Sequence, residues 1–433
     1  MKKKVVLAFS IFLFFSLLYG VTARAKVQVT DEAAVLATAV SLATEHDLII
    51  DEWQWLHEQD DIGARSPDGH LYTKYFPGNI FVGALLYKIG AKQDDNPYVW
   101  NHKDMAPSAS GARLAMRLNA LLGAAAVALV FLLVAQFYSW QTAVLTALFF
   151  GIGSDWWYQS RGFLSEIGAG TFTILSLYFA TREKSTLSSA ALGISLVFRP
   201  TNLLALPIWL LSVWRKGHKT WWSGWPIALS LGTLAFYNYH RFGSIVTSGY
   251  EGETFNSSLW EGLYGLLLSP GRSVFVYSPI FLLVLPGAVW WWRKDRRITA
   301  VCLLTIFSYL VVMSLWHRWD GGWTWGSRLL TPTLPLWGVL LAPAIEHIWT
   351  NKWLMGVTLL LVLMGTGVQI LALARNPARI LIVYVTGGEI PYDETLYTLR
   401  HSWIALQLRE MSTWQPCDVD AHAVRVWLGN CRS

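Results

Sequence analysis

The sequence predicts an all-α protein, a polytopic transmembrane helical bundle of about 11 spans. A large extracytoplasmic loop (24–111) follows the first helix, and a small extracytoplasmic tail closes the chain. Three observations predict this. The 433 residues are 54% hydrophobic and only 14% charged, whereas soluble domains carry roughly a quarter charged residues. Apolar runs recur along the chain, and about twenty apolar residues span a bilayer as a helix. Lys and Arg collect in short segments between those runs, as the positive-inside bias requires. The net charge of +6 is therefore topological, and no nucleic-acid partner is expected.

The three lysines at 2–4 precede an apolar run at 5–21. This is a first spanning helix or a signal peptide, since Ala23-Arg24-Ala25 is similar to a small-x-small cleavage site. Both readings keep the lysines in the cytoplasm and send Asp31 outside. Further spans are expected near 112–137, 140–154, 164–181, 187–198, 200–214, 221–240, 273–292, 298–315, 331–348 and 353–373. The basic segments 182–184, 215–219, 293–297 and 351–352 then fall on one side, with the N-terminus inside and the C-terminus outside.

Two of these runs are short and flank Arg199-Pro200. Proline disfavours a helical residue before it, so a break is expected there. A single kinked helix would instead send 293–297 outside, against the charge pattern. The stretch 259–268 reads as an interfacial helix. No internal repeat or linker divides the chain, so 1–373 reads as one membrane domain and 374–433 as the tail.

Of three cysteines, Cys302 lies in an apolar run and reads as a small buried hydrophobe. Cys417 and Cys431 lie in the polar tail and could pair if it faces an oxidising compartment.

The candidate chemistry starts at Asp31 and Glu32. They could simply occupy the first turn of a helix capped by Thr30, where acids suit the positive end of the dipole. A catalytic base, however, needs a carboxylate at the mouth of a partly desolvated cleft, and the exit of the first helix is such a place. Glu166 opens an apolar span, where an acid is costly unless paired or facing a wet cavity. Arg161 could snorkel, or pair with Glu166 or a phosphate.

Lys74, Arg199, Arg272 and Arg328 are cations in Pro- or Gly-containing turns on the predicted outer face. Each could meet lipid headgroups, and together they would suit an anionic lipid carrier. The Trp- and Gly-rich segment 316–328, which contains Trp325, is either an aromatic belt or a flexible loop whose rings stack on sugar or lipid. No Walker loop, His-Glu-x-x-His or Gly-x-Ser-x-Gly occurs, which argues against an ATP-driven pump or a serine hydrolase. Asp60-Asp61 alone does not define a cation site, so no metal and no cofactor are expected.

These motifs resemble, in order, those of the GT-C superfamily of membrane glycosyltransferases. The resemblance is to the bacterial branch related to protein O-mannosyltransferases and aminoarabinose transferases. Asp31-Glu32 with the following helix is similar to that family's acidic motif after the first span. Thr73-Lys74-Tyr75-Phe76-Pro77-Gly78 is similar to a Ser-Lys-Tyr-x-Pro-Gly pattern, with Thr73 for Ser. Ser165-Glu166, Arg199-Pro200, Arg241-Phe242-Gly243, Gly249-Tyr250 and Ser269-Pro270-Gly271-Arg272 fit as well. Trp323-Thr324-Trp325-Gly326-Ser327-Arg328 is close to Trp-Ser-Trp-Gly-Pro-Arg, with Ser327 for Pro.

The resemblance implies transfer of a sugar from a polyprenyl-phosphate donor to an acceptor hydroxyl on a glycan, lipid or protein. The reaction would take place on the non-cytoplasmic face of a bacterial inner membrane. It implies Asp31 as base with Glu32 as the alternative, and Glu166 assisting. Lys74, Tyr75, Arg161, Arg199, Tyr250, Arg272, Trp325 and Arg328 would bind substrate. Two rival readings use the same residues without chemistry: a flippase for lipid-linked sugars and a non-catalytic lipid-binding subunit. Transporters often carry broken helices at matching positions in two halves, and only the Arg199-Pro200 break is visible here.

Overall fold

The computed structural model describes residues 2–24, 27, 29–92, 100–101, 106–107, 110–216 and 218–429. The described chain is overwhelmingly helical, and each apolar run named above is largely helical. Five helices are long and apolar enough to cross a membrane: Lys2–Val21, Ser110–Val134, Arg296–Leu315, Arg328–His347 and Lys352–Ala374. Shorter apolar helices include Trp140–Gly153 and Ser185–Phe198, as well as Pro377–Thr386 within the tail. The protein is an all-α, multi-pass membrane protein.

Proline writes the breaks. Arg199 is extended (φ −154°, ψ 108°) between the helix Ser185–Phe198 and a 3-10 turn at Pro200–Ala205, which is the break expected there. The run 273–292 differs from the continuous span expected. It divides into Val274–Tyr277, a 3-10 turn Pro279–Leu283 and Val284–Lys294. Pro279 has no N–H to carry a helix across Ser278, whose backbone is non-helical.

Basic side chains meet at one end of the bundle. Lys3 lies over the Trp140 ring at 4.0 Å, and Lys294 lies over Tyr138, two residues away, at 3.7 Å. Lys3 and Lys294 thus meet at one turn.

The segment 24–111, expected as a polar loop, is largely folded. Its helix Thr30–Thr44 starts after an extended Val29 that makes no side-chain cap. Thr30 is therefore the first helical residue and not the cap, and its hydroxyl goes to Asp60. Ala33, Ala34, Ala37 and Ala39 are fully buried, and such small side chains let the helix Pro77–Gly90 pack closely against it. Pro77 opens that second helix, where its missing N–H and fixed φ cost nothing. Between them runs an antiparallel hairpin in the register Gly63↔Thr73, Ala64↔Tyr72 and Arg65↔Leu71. This layer holds its own apolar core, including Leu36, Trp53, Ile62, Leu71 and Phe163. It delivers Asp31, Lys74 and Tyr75 to the end of the bundle where Glu166 begins its helix.

The region after 374 packs back onto the bundle. Trp403, Leu406, Ile380 and Leu381 form a core with Tyr158, Tyr277 and Trp325. Cys302 is free and buried, as expected. Cys417 is disulfide-bonded, and Cys431 lies outside the described residues.

Candidate active site

Glu166 is the first residue of the helix Glu166–Thr181 and is 2% exposed. One of its oxygens, Oε1, takes two arginines: Arg199 Nη1 at 2.6 Å and Arg328 Nε at 2.8 Å. Arg199 reaches it because the break at Pro200 turns the chain there, and Arg328 because it opens a 3-10 turn after the Trp-rich segment. The same Arg328 guanidinium donates through Nη2 to Asp31 Oδ2 at 2.7 Å. Four side chains from four segments thus form one alternating chain, Asp31–Arg328–Glu166–Arg199. Glu166 Oε2 is buried with no hydrogen-bond partner among the described residues, an acceptor in reserve.

Burial alone would raise the Asp31 carboxyl, but the Arg328 charge and a hydrogen bond from Tyr75 hold it below its ordinary value of 3.8. Asp31 is an anion that is partly open to the outside. Beside it, Lys74 Nζ pairs with Glu253 at 2.7 Å and with Asp61 at 3.5 Å. Burial opposes the Lys74 charge and Glu253 restores it, so the ammonium is held above its usual range. Tyr250 lies edge-on to Tyr75 at 6.2 Å and stacks on Phe76 at 5.8 Å, with Lys74 5.5 Å from its ring. Gly249 carries a positive φ of 88° and packs against the Lys74 backbone, a conformation and a closeness that favour glycine. Asp31, Lys74, Tyr75, Glu166, Arg199, Tyr250 and Arg328 therefore share one place.

The other sequence candidates lie elsewhere. Glu32, adjacent to Asp31 in sequence, points away from this cluster. It pairs with Arg24 at 2.6 Å, both side chains being fully buried, and accepts from Phe163 N at 3.0 Å. Arg161 is buried against Asp420 at 3.2 Å and donates to the Thr22 carbonyl, so it ties the tail to the end of the first helix and does not meet Glu166. Arg272 is fully buried. It donates to the carbonyls of Gly322 and Thr324 and lies 4.1 Å from the Trp403 ring. It holds the Trp-rich segment in shape. Trp325 is also fully buried, edge-on to Tyr277 at 5.0 Å.

Structural comparison adds the fold's relatives. The chain is similar to ArnT from Cupriavidus metallidurans bound to undecaprenyl phosphate, with 13% identity and a TM-score of 0.58. The match covers 99% of this chain and 77% of that one. The apo form of ArnT gives 13% identity and a TM-score of 0.55, over 98% and 76% of the two chains. An oligosaccharyltransferase from Archaeoglobus fulgidus in the apo form follows, with 10% identity and a TM-score of 0.51 over 91% and 60%. The chain has the GT-C fold. No family's sequence model matches it, and no curated protein matches it by sequence.

Several residues in and around this site were not singled out from the sequence. Glu253, which holds Lys74, sits in an ordinary polar loop and gives no local signal. Arg24 and Asp420 are the buried partners of Glu32 and Arg161, and only tertiary packing joins them. Asp155 is fully buried, and burial lifts its carboxyl to about 7. Its N–H goes to Ser278 Oγ at 2.8 Å, and Gln159 donates to its carboxyl at 3.1 Å. An acid flanked by Ser154 and Trp156 at the end of an apolar run was the available clue.

Proposed function

We propose that the protein transfers a sugar from a polyprenyl-phosphate donor to an acceptor hydroxyl. The transfer takes place on the non-cytoplasmic face of a bacterial inner membrane. The observation that carries this reading is the Asp31–Arg328–Glu166–Arg199 chain beside Lys74, an exposed-side carboxylate set among three cations. The neighbour ArnT, bound to undecaprenyl phosphate, supports a lipid phosphate as the ligand of those cations. The orientation rests on the cluster of residues 3, 138, 140 and 294 at one end of the bundle, the end that the positive-inside bias assigns to the cytoplasm. We read 1–373 as the membrane domain and 374–433 as a cap that braces its outer end.

In this mechanism the acceptor oxygen attacks the anomeric carbon, and its proton passes to Asp31. The bond from that carbon to the phosphate oxygen breaks on the opposite side, and its electron pair leaves with the phosphate. Configuration inverts. Lys74, Arg199 and Arg328 meet the charge that grows on the leaving phosphate, the main electrostatic demand of the transition state. Glu166 holds the two arginines in register and positions the acceptor. Glu32 and Arg161 brace the segment behind Asp31, and Arg272 with Trp325 braces the loop that delivers Arg328.

The test uses purified protein in lipid nanodiscs with a panel of polyprenyl-phosphate sugars, following release of free polyprenyl phosphate. Release by the wild type and not by Asp31→Asn supports the reading. No release from any donor removes it and favours transport or a non-catalytic role.

A further inference from the structure

The Trp-rich segment that carries Arg328 at one end lines, with its residues 317–323, a cavity of about 380 Å³ that the sequence did not announce. It sits between the Trp-rich segment and the tail, and it is within the size range of small-molecule sites, about 300–1,000 Å³. Its walls are two pairs of tilted rings. Trp323 and Tyr392 lie 5.5 Å apart at 46°, and Trp319 and Tyr397 lie 6.1 Å apart at 47°. Both tyrosine hydroxyls are fixed by carboxylates: Tyr397 donates to Glu261 at 2.7 Å, and Tyr392 donates to Asp320. Asp320 is held in turn by Arg318 Nε at 3.3 Å and Gly322 N at 3.2 Å. The rings are thus braced platforms. Asp393 stands exposed at the rim.

The segments that build this cavity also build the catalytic cluster. Gly321, beside Asp320, lies against Arg328: a Cβ there would meet Arg328 Cβ at 3.4 Å, an ordinary van der Waals contact. His317, another wall residue, donates its N–H to the Thr254 carbonyl at 3.0 Å, next to the Glu253 that holds Lys74. Ring faces suit the C–H faces of sugars, and fixed carboxylates accept from hydroxyl groups. Three acids (Glu261, Asp320 and Asp393) against the single guanidinium of Arg318 disfavour an anionic occupant. The donor phosphate belongs with Lys74, Arg199 and Arg328.

We propose that this cavity is the acceptor subsite and that the acceptor presents an uncharged saccharide to it. This rests on the transferase reading above and narrows its acceptor to a glycan-bearing one.

Saturation-transfer NMR on the full chain in nanodiscs tests it, with maltotriose, mannotriose and N,N′-diacetylchitobiose as probes and an uncharged hexapeptide as control. Transfer to ring C–H protons of at least one saccharide is expected, and none to the peptide. Trp323→Leu should weaken that binding about fivefold, the order of one aromatic platform. Asp393→Asn, at an exposed position that leaves the fold alone, should weaken it at least about twofold, as loss of one hydrogen bond to a charged acceptor does.

No transfer from any saccharide, equal transfer in wild type and Trp323→Leu, or preference for the peptide would overturn the proposal. Polyprenyl-phosphate release, measured alongside, separates the two readings. Release without saccharide binding removes the acceptor subsite and keeps the transferase. Saccharide binding that depends on Trp323, without release, keeps the subsite as a saccharide site and removes the transfer chemistry.

Discussion

Arg328 Nη2 stands 2.7 Å from Asp31 Oδ2, and the Nε of the same guanidinium stands 2.8 Å from Glu166 Oε1. One planar fork therefore links two carboxylates that would otherwise repel. A lysine presents a point charge on a flexible stem and cannot span both in that geometry.

Arg328→Lys should retain the fold and lower polyprenyl-phosphate release roughly 10²-fold, the order seen when one preorganised donor to a developing anion is lost. Single-turnover release in nanodiscs measures it. Activity within twofold of wild type would show that the bidentate link is dispensable.

Asp31→Asn should abolish release while leaving the protein folded and inserted, because Asn keeps the shape and loses the base. Side-by-side melting and release assays check this. A variant that turns over at the wild-type rate removes Asp31 from the mechanism.

The pH dependence follows from Arg328. Burial pushes the Asp31 carboxyl up, and Arg328, helped by Tyr75 and Lys74, more than offsets it, leaving the folded value below 3.8. A depressed carboxylate stabilises the fold above its unfolded value, and that contribution is lost as pH falls through the folded value. The acid limb of the rate profile should accordingly lie below about pH 4 in the wild type. In Arg328→Gln the largest opposing charge is gone while Tyr75 and Lys74 remain, and the limb should move up relative to wild type. A rate profile from pH 3 to pH 8 for both proteins decides it, and identical acid limbs would exclude Arg328 as the cause.

Glu32→Gln should act on stability. It leaves Arg24 buried without its anion, at a cost of about 3 kcal/mol, typical of breaking a buried pair. The double variant Arg24→Met with Glu32→Leu should recover much of that loss, since an apolar pair of similar volume has no charge to desolvate. Chemical denaturation in detergent reads both. A double variant no more stable than Glu32→Gln would count against the ion pair as the source.

Gly326→Ala should be strongly destabilising. Gly326 has φ +69°, and a Cβ there would collide with the buried Asp155 carboxyl. The positive φ alone costs about 1 kcal/mol for a residue with a side chain, and the collision adds to it. Asp155→Ala in the same background makes room and should relieve the second part only, which a melting series resolves.

Much of the fold was legible because membrane helices are written in hydropathy. The apolar runs 298–315 and 353–373 lie in helices of nearly those bounds, Arg296–Leu315 and Lys352–Ala374. The break at Arg199-Pro200 was legible because proline acts locally. The folding of 24–111 was not, since its helix Pro77–Gly90 and its short hairpin are stabilised by packing on residues such as Phe163 and Phe198, which are remote in sequence.

The sequence by itself determined the all-helical membrane class, the chain break at Arg199-Pro200 and the residue types that could do chemistry, because hydropathy, proline stereochemistry and side-chain charge are local properties. Only the tertiary structure decided which charges meet. Asp31 and Glu32 are neighbours in sequence, yet their side chains leave the helix in different directions. One meets Arg328 at a partly open mouth and the other meets Arg24 in the interior. Arg199 and Arg328 converge on Glu166 while Arg161 and Arg272 turn to Asp420 and to backbone carbonyls. A buried charge must find its counter-charge or its dipoles wherever the fold brings them, and that choice is made by packing across the whole chain.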